Sequence, residues 1–312
     1  MLAILNVVLP VFGIILAGYL CGRFGLLGEA SSEALNRFVY FLALPALFFI
    51  SIARVSVGDA LNWRFLIAYC GGVIVTAAVA VFGGRRLFPN RLAAQGLHAL
   101  SAIFANTGYM GIPLLVTAFG PGAALPSIIA TVLNGAVIMA IGIFVVEIDL
   151  SRDRGAGGVV YDALRGVVRS PLVLSAVGGI LCSGFGVVVP EAVARFCDIL
   201  GAAAPPAALF AIGLFLVGRS LTAGLAETSW LVLHKLLLQP LVTAALAFGL
   251  LQMDRLWAAS AVVLAALPTG SLVFVLAQQY GIYTQRATAA ILVSTVLSVV
   301  TLFALFAVLG VG

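Results

Sequence analysis

The chain has 312 residues, of which 63% are hydrophobic and only 9% charged, with a formal net charge of +5 and a mean hydropathy of +1.23. A single water-exposed globule could not hide that much apolar surface around one core, so the solvent for most of the chain is lipid. The excess of basic over acidic residues follows a loop bias that membrane topology explains, so it does not call for a nucleic-acid partner.

A membrane span needs about 20 apolar residues to cross a hydrocarbon layer of roughly 30 Å. Ten segments qualify in chain order: 2–20, 34–53, 63–83, 92–119, 122–147, 171–189, 196–218, 229–250, 256–279 and 286–310. The first begins MLAILNVVLP with no Lys or Arg ahead of it, so it is expected to be retained rather than removed as a signal peptide. Cys21, Cys70, Cys182 and Cys197 stand at no metal-ligand spacing and read as small buried hydrophobes, and no cofactor is expected. Loops after odd-numbered spans hold Arg23, Arg37, Arg85, Arg86, Arg91, Arg152, Arg154, Arg165, Arg169, Arg219 and Arg286, whereas those after even-numbered spans hold only Arg54, Arg64, Arg195 and Arg255. The positive-inside rule then puts the odd loops in the cytoplasm and both termini on the outer side.

The two halves of the chain repeat each other. PVFGIILAGYLCGRFGL from Pro10 matches PLVLSAVGGILCSGFGV from Pro171, with Gly18/Gly179, Cys21/Cys182 and Gly25/Gly186 in register. EALNRF at 33–38 meets EAVARF at 191–196, and Pro45 and its followers echo Pro206 and its own. WRFLIAYCGGVIVTAAVA at 63–80 aligns without a gap on WLVLHKLLLQPLVTAALA at 230–247. Asn106-Thr107-Gly108 answers Pro268-Thr269-Gly270, and Thr131-Val132-Leu133 answers Thr295-Val296-Leu297. Five spans per copy is an odd number, so the second copy enters the membrane upside down. The expected fold is an all-α integral membrane protein of ten transmembrane helices, arranged as two inverted five-helix repeats (1–147 and 171–312) joined by a cytoplasmic linker at 148–170. Inverted repeats of this kind mark secondary transporters, with the site near the midplane between the halves.

Spans four and nine each carry a polar break at mid-depth, ANTGYMGIP and ALPTGSLVF. Proline removes a backbone donor and glycine tolerates unwound geometry. Freed amides and carbonyls are costly in hydrocarbon, so such breaks belong where they face protein or a wet cavity. Where each helix restarts, unpaired N–H groups and a dipole end worth roughly half a positive charge can hold an anion without Lys or Arg. Candidate substrate-binding residues are therefore Asn106, Thr107, Gly108, Pro113, Pro268, Thr269, Gly270 and Ser271. The opposing half-helix ends expose carbonyls, which would suit a cation.

The NTGYMGIPLL and LPTGSLVFVLAQQYG segments, set in a five-plus-five plan, resemble the auxin efflux carrier (PIN-type) family in a compact bacterial form, over essentially the whole chain. The resemblance implies that helices four and nine cross at their breaks, within a transport domain that moves against a scaffold domain. It also implies carriage of small organic anions, auxin-like acids or malonate- and malate-like carboxylates. Asn106 and Pro268 carry over as the crossover residues, with Thr107, Gly108, Thr269 and Gly270 beside them. A homodimer is implied by the family alone.

Other polar residues have two readings each. Asn134 and its repeat partner Ser298 either line the path or bond a neighbouring helix. Gln278 and Gln279 could serve a gate or an interface. His98, about two turns before the first break, and Asp198, near the start of span seven, are candidates for coupling. His98 reads more readily as a satisfied histidine near the cytoplasmic end of span four. His234 and Lys235 read as boundary anchors, with the lysine snorkelling to the surface. With no carboxylate clearly at the midplane, anion transport driven by the substrate gradient or membrane potential is better supported than a sodium- or proton-coupled exchanger, the alternative reading. An intramembrane enzyme finds no constellation here, since there are two histidines, no paired aspartates in the spans and no metal motif.

Overall fold

A computed structural model describes residues 2–54, 62–150, 161, 165, 169–218 and 224–310. Most of the 148–170 linker, with Arg152 and Arg154, lies outside the described residues, as does Arg219. Among the described residues the chain is all-helical, its one β feature being an isolated antiparallel bridge between Ala105 and Thr269. The helices are α1 (Leu2–Arg23), α2 (Glu29–Ala53), α3 (Trp63–Leu87), α4 (Leu92–Ile103), α5 (107–119), α6 (Ala124–Leu150), α7 (Pro171–Gly184), α8 (Glu191–Phe215), α9 (Leu225–Leu250), α10 (Arg255–Ala266), α11 (Leu272–Tyr280) and α12 (Thr284–Leu309).

Six of these, α2, α3, α6, α8, α9 and α12, are long and apolar enough to cross a membrane. The fourth and ninth spans expected from sequence are each two helices rather than one. Span four divides into α4 and α5, and span nine into α10 and α11. The breaks have visible causes. After Ile103 and after Ala266 the backbone turns extended, at Phe104 (ψ 100°) and Leu267 (ψ 151°), just before the Asn-Thr-Gly and Pro-Thr-Gly triplets. Elsewhere proline acts more gently. Wide π-turns at Val39–Ala43, Thr107–Gly111 and His234–Leu238 each end two residues before a proline, Pro45, Pro113 and Pro240. Each ring removes an N–H that the preceding turn would have used, and the turn widens to accommodate it.

Helix starts follow local chemistry. Asn62 accepts from the Phe65 N–H at 3.1 Å to cap α3, and Asp254 accepts from Leu256 and Trp257 N–H to cap α10. Small residues set the closest helix contacts. Gly18 of α1 lies on the Phe210 carbonyl and Gly213 of α8, leaving no room for a side chain. Gly179 of α7 packs on α2, where a Cβ would come within 2.8 Å of both the Phe49 carbonyl and Ile52. Cys197 is buried and the other three cysteines are half-buried, all as free thiols.

The half-helices α4, α10 and α11 lie inside the bundle. Every residue of α10 from Ala258 to Ala266, and of α11 from Leu272 to Ala277, is buried, as is nearly all of α4. The interrupted backbone is thus enclosed by protein, the condition under which membrane-depth irregularity is tolerated.

Candidate functional site at the crossing of the broken helices

The two breaks satisfy each other. Asn106 donates its backbone N–H to the Pro268 carbonyl at 2.9 Å, and Gly270 donates its own to the Phe104 carbonyl at 2.9 Å. This reciprocal pair is the Ala105–Thr269 bridge. A Cβ at Gly270 would meet the Phe104 ring at 3.0 Å, so a glycine at this point lets the strands approach. Thr269 is held from both sides: its N–H donates to Ser294 Oγ at 3.1 Å and its hydroxyl to the Ser101 carbonyl at 2.8 Å.

A second layer of side chains fixes the first break. Asn134 of α6 donates from Nδ2 to the Ala105 carbonyl and to Thr107 Oγ1, both at 3.2 Å, and shares hydrogen bonds with the Tyr69 hydroxyl of α3. Thr131, one turn earlier, donates to Thr107 Oγ1 at 3.1 Å. Beside this network lies a cavity of about 30 Å³, lined by Leu47, Phe48, Phe104, Ala105, Asn106, Thr107, Gly108, Thr131, Asn134, Gly135, Gly270 and Leu272. The residues that open α5 (Thr107, Gly108) and those that open α11 (Gly270, Leu272) therefore face one space. Asn106 stands at the N-cap position of α5, makes no capping bond with its side chain, and lines the cavity. No charged side chain lines it among the described residues.

The carbonyl ends of the half-helices point to a different group. Lys235 of α9, with no exposed surface, donates from Nζ to the Ala265 carbonyl at 2.6 Å and to Gln239 Oε1 at 2.7 Å. Gln239 in turn reaches the Ile103 carbonyl at 3.4 Å through Nε2. The expectation that Lys235 snorkels to a boundary is thus corrected: its head turns inward to the last turn of α10 and to Gln239, which reaches the end of α4.

The remaining predicted residues fall as follows. Pro113 occupies the first turn of the regular part of α5, and its side chain lies outside the described ones. Ser271 is buried at the N-cap of α11, with its hydroxyl unpartnered in the protein. Ser298 donates to the Thr295 carbonyl one turn back. Gln278 is half-buried and Gln279 exposed, near the end of α11 and away from the cavity lining. Asp198 is 44% exposed and holds a two-pronged pair with Arg54, at 2.7 and 2.6 Å, rather than entering the crossover.

His98 is fully buried but apart from the cavity lining. Its Nδ1 lies 2.8 Å from Glu227 Oε1 and 3.1 Å from the Tyr283 hydroxyl, and its Nε2 lies 3.3 Å from the Ala80 carbonyl. Tyr283 donates to Glu227 as well, and Arg286 closes the cluster at 2.8 Å from the other carboxylate oxygen. Glu227, 2% exposed at the start of α9, is a buried acid that hydropathy missed because it precedes the apolar run. Tyr69, Thr131, Phe48 and Gln239 were also absent from the sequence-derived site. Each lies only in a stretch that the repeat matches, Tyr69 and Gln239 in 63–80 and 230–247, Phe48 after Pro45, and Thr131 in the Thr131/Thr295 match.

A crossing of two interrupted helices inside an all-helical, lipid-solvated chain defines a membrane transporter. The chain belongs to the membrane transport protein family, the auxin-efflux-carrier-like group, whose model matches residues 3–153 and 159–306. It is 35% identical over 305 residues to the protein named "Putative malonate transporter" of Rhizobium meliloti (strain 1021), covering 96% of this chain and 94% of that one. The "Uncharacterized transporter YfdV" of Escherichia coli (strain K12) is 28% identical over 305 residues, covering 94% of this chain and 93% of the relative. An "Uncharacterized transporter" of Methanothermobacter thermautotrophicus is 26% identical over 298 residues, with 95% of both chains covered.

Proposed function

We propose that this protein is a carrier, not an enzyme, which moves a small carboxylate across a bacterial inner membrane by alternating access, with the crossover cavity as its binding site. The observation that carries this reading is that the first residues of α5 and of α11 line one cavity together with the Asn106 and Asn134 amides. Helix N-termini present unpaired N–H groups and partial positive charge, so two of them converging bind a carboxylate without a dedicated cationic side chain. Asn106 supplies an adjustable donor, and Thr107 a hydroxyl already oriented by Asn134 and Thr131.

The cavity's size bears on mechanism. A space of about 30 Å³ takes a water molecule or two and no dicarboxylate. Binding therefore requires Leu47 and Phe48 of α2 to withdraw from the crossover, which is relative movement of two helix groups rather than passage through a fixed pore. A ten-helix plan of two inverted repeats, each with five spans, fits this motion. It is supported by paired packing contacts: adding 161 to Gly18, Phe49 and Ile52 gives Gly179, Phe210 and Gly213. Gly18 packs on Phe210 and Gly213, while Gly179 packs on Phe49 and Ile52, so the two contacts exchange under the repeat. The name of the Rhizobium relative favours a malonate-like substrate, and the basic-residue bias favours periplasmic termini.

The test is a thermal-stability titration of the purified protein with malonate, malate and monocarboxylates, repeated on Asn106→Ala. A ligand bound only by the folded state raises the melting temperature with the logarithm of its concentration above Kd. The expected outcome is stabilisation by at least one carboxylate, lost in Asn106→Ala while that variant's unliganded melting temperature stays put. Equal stabilisation of both proteins would remove the crossover from the binding site.

A further inference from the structure

We propose that the Lys235 ammonium is a resident cation at the carbonyl side of the crossover, occupying the place a coupling sodium ion would otherwise take, and so makes this carrier independent of sodium. Three observations converge on it. Lys235 is completely buried, and the two acceptors on its Nζ are both neutral oxygens, the Ala265 carbonyl at 2.6 Å and Gln239 Oε1 at 2.7 Å. Ala265 lies in the last turn of α10, and Gln239 spans from the lysine to Ile103, the final residue of α4. The lysine–glutamine pair thus serves the C-terminal ends of both interrupted half-helices, where unpaired carbonyls and the negative dipole ends gather. That donor set, carbonyl and amide oxygens with no carboxylate, is the kind that replaces the hydration shell of a monovalent cation.

The charge balance extends to the substrate. A crossover brings two positive helix ends to one side and two negative ends to the other. With the negative ends neutralised from within the protein, the positive ends facing the cavity are left to be neutralised by an incoming anion. The repeat makes the device one-sided: the gapless alignment of 63–80 on 230–247 sets Ala68 opposite Lys235 and Gly72 opposite Gln239, so the first half has neither group. One fixed positive charge therefore serves each crossover. The π-turn at His234–Leu238, forced by Pro240, carries Lys235 at its second position.

This inference takes its meaning for transport from the anion-carrier reading, yet its test needs no substrate. Melting temperatures of the purified wild type, Lys235→Ala and Lys235→Met are measured as sodium chloride replaces choline chloride at constant ionic strength. The wild type is expected to melt at the same temperature in both salts. Lys235→Ala should melt well below it in choline and recover progressively and saturably in sodium, because the vacated oxygens and a few waters now bind the ion. Lys235→Met, whose side chain refills the stem without a charge, should be lowered and stay lowered. Sodium that leaves Lys235→Ala unmoved overturns the proposal, and so does sodium that raises the wild type as much as the variant.

A second pair covers the case in which Lys235→Ala does not accumulate. Gln239→Glu sets a carboxylate against Nζ, which an ammonium tolerates and a neutral side chain does not. Gln239→Glu should accumulate in the wild-type background and fail with Lys235→Met. Equal loss in both backgrounds overturns the resident charge. Carboxylate binding by the wild type can fail while these results hold, so the two readings fall separately.

Discussion

The Phe48 ring of α2 packs so tightly on Gly135 of α6 that a Cβ at 135 would come within 2.6 Å of its Cζ. Both residues line the crossover cavity, so this contact is where a binding space of water size is kept shut. Gly135→Val would hold Phe48 off the site. The expected result is an accumulated, folded protein with malonate transport in proteoliposomes reduced at least tenfold, because the closed state of the cycle is no longer reachable. Unchanged transport would mean that the Phe48–Gly135 contact is not needed for the transport cycle.

Asn134 connects α6 to both the Ala105 carbonyl and Thr107, and Tyr69 braces it from α3. Asn134→Leu leaves buried acceptors unpaired, at a cost of about 1–3 kcal/mol. Tyr69→Phe removes one partner only, costing about 1 kcal/mol. The double variant should cost less than the sum, since each single change already breaks the shared bond. Strict additivity in thermal or denaturant unfolding would show that the pair is not coupled.

Gly18 and Gly13 make opposite forecasts on one helix. A side chain at Gly18 runs into the Phe210 carbonyl, whereas one at Gly13 meets nothing within 4 Å. Gly18→Ala must push α1 from α8 and is expected to lower yield and melting temperature. Gly13→Ala gains helix propensity of up to about 1 kcal/mol and should be neutral or stabilising. Gly179→Ala, its Cβ held within 2.8 Å of the Phe49 carbonyl, should behave as Gly18→Ala does. Divergence between those two would weigh against the repeat.

Glu227 gathers His98, Tyr283 and Arg286 at the junction of α4, α9 and α12. Glu227→Gln keeps the shape but takes the charge from its buried partners, with an expected loss of about 2 kcal/mol. Because this cluster lies outside the cavity lining, carboxylate affinity per folded molecule should be unchanged. Isothermal titration beside a melting curve separates the two effects.

Much of the fold was legible in the sequence. Length and hydropathy set the long helices, and the Asn-Thr-Gly and Pro-Thr-Gly triplets marked both interruptions to within a few residues. Proline and glycine act through the local backbone, whose geometry a short segment settles by itself. Inward and outward faces were not legible. In water an amphipathic stripe tells which side of a helix meets the core, but in lipid both sides are apolar and the stripe fades. Hence Lys235 read as an anchor at the surface, although Ala265 and Gln239 hold it inside. Asp198 read as a coupling candidate near the start of span seven, although Arg54, 144 positions away, holds it where it is 44% exposed. Tyr69, Thr131 and Phe48 stood in repeated stretches but carried no mark of a site role, because an ordinary residue becomes part of a site only through what packs against it. The sequence by itself determined where the backbone breaks and which residues cannot be helical there. Only the tertiary structure decided which helix end meets which side chain, because that depends on helix rotation and partner choice, and these are set by packing across the whole bundle.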